Sequence, residues 1–317
     1  MESPKPDSKG GPVPGRLVSE AAGRIERRLR RVFAGLEAVG YLGEAERAEY
    51  RYYEGLIGEA LGRIDRKILS GGLRPLDLRD FPQCVRYPGY SARVAVFAGS
   101  FDPFQMTHLA TALRFLASED CESDAVFVVP EGASNPLKPR KTEYRFRYEI
   151  ARLQLEGIFS PLVVPLDLGE GADTIGIVRR LIALHPGASL RLTHLLGSDS
   201  LPTAIRLLPE DLAAWRSEAE RCRVDLELGL FVVPRGEDGP PEEASRAARA
   251  LGVRFAADTS RVGAPSSTDF RSRGALTIAF PSPALLSRLE LLFRYGMNRP
   301  WMEEARRKGG EDPEYYI

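Results

Sequence analysis

The sequence predicts an α/β protein: a doubly wound, Rossmann-like parallel sheet behind an N-terminal helical extension. From about residue 91, short apolar runs alternate with segments of helical periodicity. Such alternation is typical of parallel strands that helices cover on both faces. No internal repeat interrupts it. The predicted strands are 94–97, 125–129, 162–164, 190–196, 228–233 and 253–256, and the predicted helices are 107–118, 143–157, 174–184, 203–221 and 242–250.

The chain before this sheet divides into a tail and a helical hairpin. Residues 1–16 are rich in Pro, Gly and charge, which predicts disorder because they bury too little apolar surface to offset the ordering entropy. Residues 17–90 are expected to form the hairpin, with a break near residues 40–43, and a turn-rich linker. The main domain is placed at 91–300 and a C-terminal tail at 301–317. The second helix of the hairpin carries an apolar stripe formed by Tyr53, Leu56, Ile57, Ile64 and Ile68.

Composition excludes several classes of protein. The 44 basic and 44 acidic residues of the 317-residue chain cancel, so no global field favours nucleic acid. Three separated cysteines without a C-x-x-C pair argue against a disulfide framework or a structural zinc site. No signal peptide and no apolar run long enough to cross a membrane is evident, so we expect a cytoplasmic protein. The sequence leaves the oligomeric state open, and a homo-oligomer is one of the states that it allows.

The loops that follow the predicted strands carry groups suited to phosphate. In doubly wound sheets, ligands bind beyond the carboxyl ends of the strands. Gly99 and Ser100 allow close approach of backbone to a ligand, and His108 falls in the first turn of a helix, where free amides favour an anion. Lys138 offers a mobile charge, and Asp199 offers an acceptor for a ribose or base donor.

The last loop repeats this chemistry. Ser266, Ser267 and Thr268 are N-cap residue types, and Arg271 lies one turn into the helix predicted after them. Taken singly, each of these residues is more often an ordinary cap or a solvated charge. Their joint presence in the loops of one sheet indicates a polyphosphate site. His185 and His194 are interpreted as structural, because neither has a metal-ligand partner at a suitable spacing.

Two segments carry a family resemblance. The segment "GSFDPFQMTHL" resembles the G-[ST]-F-[DN]-P-x-[HT]-x-x-H-L motif of the nucleotidyltransferase superfamily. About 160 residues later, "SSTDFR" resembles the S-S-T-x-x-R motif of its nicotinate/nicotinamide mononucleotide adenylyltransferases. The segments "NPLK" followed by Arg147, "LLGSDSL" and "FVVPRG" are similar to further motifs of that family. The resemblance covers roughly residues 93–300 and leaves out the first ninety.

The resemblance implies a reaction and a set of roles. AMP would pass from ATP to the 5′-phosphate of a pyridine mononucleotide, with release of pyrophosphate and with Mg²⁺ on the phosphates. His108, Lys138 and Arg271 would be catalytic. ATP contacts would come from Gly99, Ser100, Phe101, Gln105, His108, Gly197, Asp199, Ser266, Ser267, Thr268 and Arg271. Acceptor contacts would come from Ser100, Phe101, Lys138, Thr174, Trp215 and Arg235.

Two positions depart from the family pattern. Gln105 replaces a histidine or threonine; its amide can still donate to a phosphate oxygen, but it cannot become cationic. Asp173 replaces an aromatic residue beside Thr174, in the segment that resembles the pyridine site. Two alternatives therefore stay open: an enzyme of the same superfamily with another phosphorylated acceptor, and a nucleotide-binding protein without turnover. We also expect that His108→Ala lowers turnover about a hundredfold or more and leaves the fold intact.

Overall fold

The computed structural model describes residues 44–76, 91–133, 141–155, 159, 161–234 and 242–258, with residues 27 and 34 as single positions. The predicted tail, the first helix of the hairpin, the linker after residue 76 and the whole C-terminal segment after residue 258 lie outside the described residues. In chain order the helices and strands are α1 Glu44–Leu69, β1 Ser91–Gly99, α2 Met106–Ala117, β2 Ala125–Pro130, α3 Tyr144–Leu155, β3 Val163–Pro165, α4 Thr174–Ala183, β4 Ser189–Gly197, α5 Leu201–Cys222, β5 Asp225–Val233, α6 Glu242–Ala250 and β6 Arg254–Ala257.

The six strands form one parallel sheet in the order β3-β2-β1-β4-β5-β6. The chain winds outward from β1 to β3 and then returns to place β4 on the other side of β1. This is the order of a doubly wound sheet, and the predicted fold class is confirmed. Every predicted strand is present. The largest shifts are at the starts of β1 and β5, three residues each; β5 begins at Asp225 because its polar first residues pair with the equally polar start of β4.

Helices cover both faces of the sheet, as buried parallel strands require. On one face, α1, α2 and α3 pack against Ala95, Phe97 and Val128. On the other, α4, α5 and α6 pack against Val94 and Val96. Alternate residues of β1 thus serve two separate cores, which explains why its run is apolar without interruption.

The predicted stripe of α1 is buried and joins the first of these cores. The described part of the N-terminal extension therefore packs directly on the sheet domain, through α2. No helix in the described part of the chain is long and apolar enough to cross a membrane.

Candidate active site

A crevice opens between β1 and β4 at the carboxyl edge of the sheet. These two strands pair from Ser91 opposite Ser189 up to Val96 opposite His194. Each strand then continues for three more residues, but on its other side: Gly99 stays opposite Pro130 of β2, and Gly197 stays opposite Val233 of β5. The two strands therefore part at the point where the strand order reverses, which is where open α/β sheets bind ligands.

The loop from β1 to α2 is held in a strained conformation by its own aromatic residues. Phe101 has a φ of +42°, which is unusual for a residue with a side chain. Its ring lies 5.0 Å from that of Phe97 and 5.5 Å from that of Phe104, measured between centroids. A Cβ at position 99 would lie 3.2 Å from the same ring, so a larger residue there would have to displace the ring slightly. Burial of the Phe101 ring offsets the cost of the backbone conformation.

His108 lies at the third position of α2 with its ring orientation fixed. Its Nδ1 accepts the backbone N–H of Gln105 at 3.1 Å. A ring nitrogen that accepts a hydrogen bond carries no proton, so the neutral imidazole carries its proton on Nε2. The rings of Phe101, Phe104 and Phe97 surround the imidazole, with centroids 5.0, 5.5 and 6.1 Å away. His108 therefore has a defined donor atom, Nε2, beside the free amides of a helix N-terminus.

Gln105 is the N-cap of this helix. Its backbone N–H donates to His108 Nδ1, and its own side chain is fully buried. A direct contact between this amide and a phosphate would require the side chain to leave its buried position. The ATP contact expected of Gln105 stays a prediction.

Asp102 fixes the same loop from the other side. Its carboxylate is fully buried and accepts hydrogen bonds from the backbone N–H and the hydroxyl of Thr142, at 2.8 and 2.5 Å. Thr142 lies two residues before α3 and follows the segment that contains Lys138. The sequence analysis assigned no role to Asp102. Nothing in the local sequence around Asp102 indicates a hydrogen-bond partner forty residues away.

Arg147 joins three loops through their carbonyl groups. It is 1% exposed, and its guanidinium donates to the carbonyls of Ser100, Glu131 and Thr142 at 2.5, 2.7 and 3.0 Å. These carbonyls belong to the loops after β1, after β2 and before α3. A single planar donor set thus fixes the relative positions of the loops at one side of the crevice. The motif similarity singled out Arg147 but gave it no function.

A second set of contacts connects the end of β2 with the start of α4. Thr174 donates its hydroxyl to the Glu131 carboxylate at 2.6 Å. Asp173 is the N-cap of α4 and accepts from the backbone N–H of Gly176 at 2.9 Å. The residue that departs from the family's aromatic therefore has a local explanation as a helix cap. Glu131 was not predicted as a site residue, yet its carboxylate accepts the hydrogen bond from the Thr174 hydroxyl.

The backbone of the loop after β2 lies directly on the loop before α4. The Gly132 N–H donates to the carbonyls of Gly169 and Ala172, at 2.8 and 2.9 Å. A Cβ on Gly132 would collide with the Gly169 carbonyl oxygen, so only glycine permits this close approach. The segment carrying Lys138 begins two residues further on.

Three carboxylates, those of Asp173, Asp211 and Asp199, lie on the side of the crevice formed by α4 and α5. Asp211 of α5 is 7% exposed, and its Oδ1 has no hydrogen-bond partner within the described residues. Burial, together with the nearby charges of Asp173 and Glu210, raises the pKa of this carboxyl to about 6. Asp199, in the turn between β4 and α5, is exposed.

Trp215 is buried in the core rather than at an open surface. The side chain is 2% exposed, and its Nε1 donates to the Ile175 carbonyl at 3.3 Å. The acceptor contact expected of Trp215 stays a prediction, and the ring is covered by the surrounding core. The physical reason is that α5 turns this position towards the sheet, where a large apolar ring gains most from burial.

The two remaining histidines have structural surroundings. His185 is fully buried, and its Nδ1 bonds to the Leu181 carbonyl at 2.7 Å. His194 lies on β4 with its ring centroid 6.3 Å from that of Trp215, and desolvation lowers its pKa to about 4.

The structure thus brings together one group of the predicted site residues. Gly99, Ser100, Phe101, Gln105 and His108 form the loop at the end of β1, Gly197 and Asp199 lie across the crevice, and Thr174 begins α4. Lys138, Arg235, Ser266, Ser267, Thr268 and Arg271 lie outside the described residues, so the predicted meeting of His108 and Arg271 stays a prediction. The described chain does approach that segment: Arg114 of α2 forms an ion pair with Asp258, with Nε and Oδ2 2.8 Å apart, eight residues before Ser266.

Curated proteins with similar sequences have one name in common. The chain is 30% identical over 115 residues to a probable nicotinate-nucleotide adenylyltransferase of Nitratiruptor sp., covering 35% of this chain and 62% of that protein. It is 34% identical over 120 residues to one of Gemmatimonas aurantiaca, covering 36% and 53%, and 28% identical over 162 residues to one of Maridesulfovibrio salexigens, covering 46% and 72%. The alignments thus span about half to three quarters of these relatives, and no protein-family model matches the chain.

Solved structures give a looser likeness. The chain resembles the nicotinic acid mononucleotide adenylyltransferase of Plasmodium falciparum, solved with APC and with NaAD, at 14% and 15% identity and TM-scores of 0.36 and 0.37, over 69% of this chain and 95% of each. The sheet order and the crevice define a doubly wound α/β class of fold. The sequence relatives add a more specific likeness: this chain is similar to proteins named probable nicotinate-nucleotide adenylyltransferase.

Proposed function

We propose that the protein is an adenylyltransferase that moves AMP from ATP to the 5′-phosphate of nicotinate or nicotinamide mononucleotide and releases pyrophosphate. The observation that carries this proposal is the presentation of His108. Its Nε2 proton is set by the Gln105 contact, at a helix N-terminus beside the crevice between β1 and β4. The names of the sequence relatives supply the pyridine mononucleotide as acceptor.

In this reaction the acceptor phosphate attacks the α-phosphorus of ATP while the bond to the β-phosphate oxygen breaks. Negative charge grows on the oxygens around the α-phosphorus, and a fixed donor stabilises it without reorganisation. His108 Nε2–H would donate to one of these oxygens, and the first amides of α2 add the positive end of a helix dipole. Catalysis by positioning requires no nucleophilic side chain.

Mg²⁺ would neutralise charge on the phosphate oxygens of bound ATP. Within the described residues there is no cluster of three or more His, Cys, Asp or Glu side chains that could hold a metal ion. An ion that arrives on the triphosphate and keeps several waters, as Mg²⁺ commonly does, would not require such a cluster. Lys138 and Arg271 would hold the remaining phosphate charge.

A direct assay tests the proposal. The full chain with ATP, Mg²⁺ and each mononucleotide in turn should release pyrophosphate and form a dinucleotide that mass spectrometry identifies. The matched control is His108→Ala under the same conditions. Absence of both products with both mononucleotides would overturn the proposal.

A second candidate function keeps the chemistry and changes the acceptor. The covered ring of Trp215 and the capping role of Asp173 favour it, because both lie where the pyridine ring is expected. Under this alternative, pyrophosphate appears only with a different phosphorylated acceptor. A non-catalytic nucleotide-binding protein would instead gain thermal stability with ATP and turn over no acceptor.

A further inference from the structure

Helix α1 belongs to the part of the chain that the family resemblance leaves out. It lies along α2, the helix whose first turn contains His108. Its apolar stripe is buried in the same core as the buried face of α2. The two helices run in the same direction, since Tyr53 meets the start of α2 and Lys67 meets its end. These contacts are 14 residues apart, or about 21 Å along a helix.

The first contact is a buried hydrogen bond. The Tyr53 hydroxyl and the Thr107 hydroxyl are 2.8 Å apart, and both side chains are at most 1% exposed. Thr107 directly precedes His108 and belongs to the turn that contains the Gln105 cap. The family motif specifies no residue type at position 107, so the motif itself does not account for this hydroxyl. Thr107 also has its carbonyl engaged, because Thr111 donates to it at 2.7 Å.

The second contact anchors the far end of α2. The Lys67 ammonium donates to the carbonyls of Leu116, Ser118 and Cys121 at 3.0, 2.7 and 3.0 Å. A cation at the C-terminus of a helix satisfies carbonyls that lack helical partners and complements the negative end of the dipole. Helix α2 is therefore held by polar contacts at both ends as well as by apolar packing between them.

We infer that α1 is a positioning element of the active site and that Tyr53 is a positioning residue, which acts through Thr107 on the turn that presents His108. The inference rests on the role proposed for His108. Removing the hydroxyl of Tyr53 leaves the Thr107 hydroxyl buried without this partner and loosens the first turn of α2 against α1. A displacement of the His108 Nε2 by a fraction of an ångström weakens a contact needed most in the transition state.

The test compares two substitutions on the same face of α1. Tyr53→Phe in the full chain should lower kcat about tenfold and leave KM for ATP and for the mononucleotide within about twofold. The control is Ile64→Val, which loosens the same helix interface three turns away and should leave kcat within about twofold. Thr107→Val should match Tyr53→Phe, Thr107→Ser should restore most of the rate, and the double variant Tyr53→Phe/Thr107→Val should be no worse than either single one.

A second readout is independent of turnover. The chain has three histidines, so the ring ¹⁵N resonances of His108 can be assigned with His108→Gln. Tyr53→Phe should shift the His108 resonances, whereas Ile64→Val should not. A wild-type chain that turns over no mononucleotide contradicts the proposed function, and the resonances then decide this inference alone. Equal kcat and equal His108 resonances in Tyr53→Phe and Ile64→Val would overturn it.

Discussion

The two sides of the crevice are built differently. On the side of β1 and α2, the side chains of Asp102, Gln105 and Arg147 are buried, and those of Asp102 and Arg147 bond to backbone groups of the loops around His108. On the side of α4 and α5, the polar residues are more exposed, and the buried Asp211 carboxyl keeps an oxygen without a partner in the described structure. The first arrangement suits a fixed phosphate contact. The second leaves room for acceptor preferences to change without disturbing the fold.

The largest effect is expected from a substitution on the side of the crevice formed by β1 and α2. His108→Ala should lower kcat by about a hundredfold or more, because it removes a fixed donor from the charge that develops in the transition state. The sequence analysis expected the fold to stay intact, and the structure corrects this. The imidazole packs among three phenylalanine rings and is 6% exposed, so the variant should also lose about 1–2 kcal/mol of stability. Steady-state kinetics and urea unfolding separate the two effects; turnover equal to wild type would contradict the assigned role.

The next effect tests the buried scaffold on that side. Arg147→Lys should lower the free energy of unfolding by about 2–3 kcal/mol, because one ammonium cannot reproduce three diverging bonds to carbonyls in separate loops. The control, Arg145→Lys, lies on the same helix but in solvent, with ion pairs to Asp167 and Glu170. It should show no measurable change. Equal unfolding curves for the two variants would refute the role given to Arg147.

The side of the crevice formed by α4 and α5 can be tested through the pH dependence of the free energy of unfolding. Burial raises the pKa of Asp211 to about 6, above its value in the unfolded chain. The folded state therefore binds a proton that the unfolded state has released, and stability falls as pH rises from about 4 to about 6. Asp211→Asn should raise stability above pH 6 by about 1 kcal/mol and flatten this fall. Urea unfolding between pH 4 and 8 measures the free energy of unfolding of both proteins. The control is Glu220→Gln, a substitution at an exposed position of the same helix, which should keep the wild-type pH profile.

The smallest effect concerns the cap of α4. Asp173→Ala should cost about 1 kcal/mol of stability, and Asp173→Ser should restore most of it, because both the carboxylate and the hydroxyl accept from the free N–H groups of the first turn. Thermal unfolding gives the comparison. If alanine and serine behave alike, the departure from the family motif at this position is not explained by capping.

The elements of the fold were predictable because each is a local pattern. Short, largely apolar runs identified all six strands, and the spacing of Tyr53, Ile57 and Ile64 identified the buried stripe of α1. The turn that presents His108 was equally visible, since a strand, a glycine and a helix start are adjacent in the chain. Arg147, Asp102 and Glu131 were not identified as site residues, because all but one of the partners described for them lie 16 to 47 positions away and no periodicity encodes such a contact.

The sequence by itself determined the α/β class and the position of nearly every element, and it predicted phosphate binding at the loop before His108. The tertiary structure alone decided that β1 and β4 part at their ends, that Trp215 turns inward and that α1 is bonded to the turn before His108. The physical reason is range. Apolar periodicity and caps act within one or two turns of chain, whereas a crevice or a buried tyrosine contact exists only after distant segments have packed together.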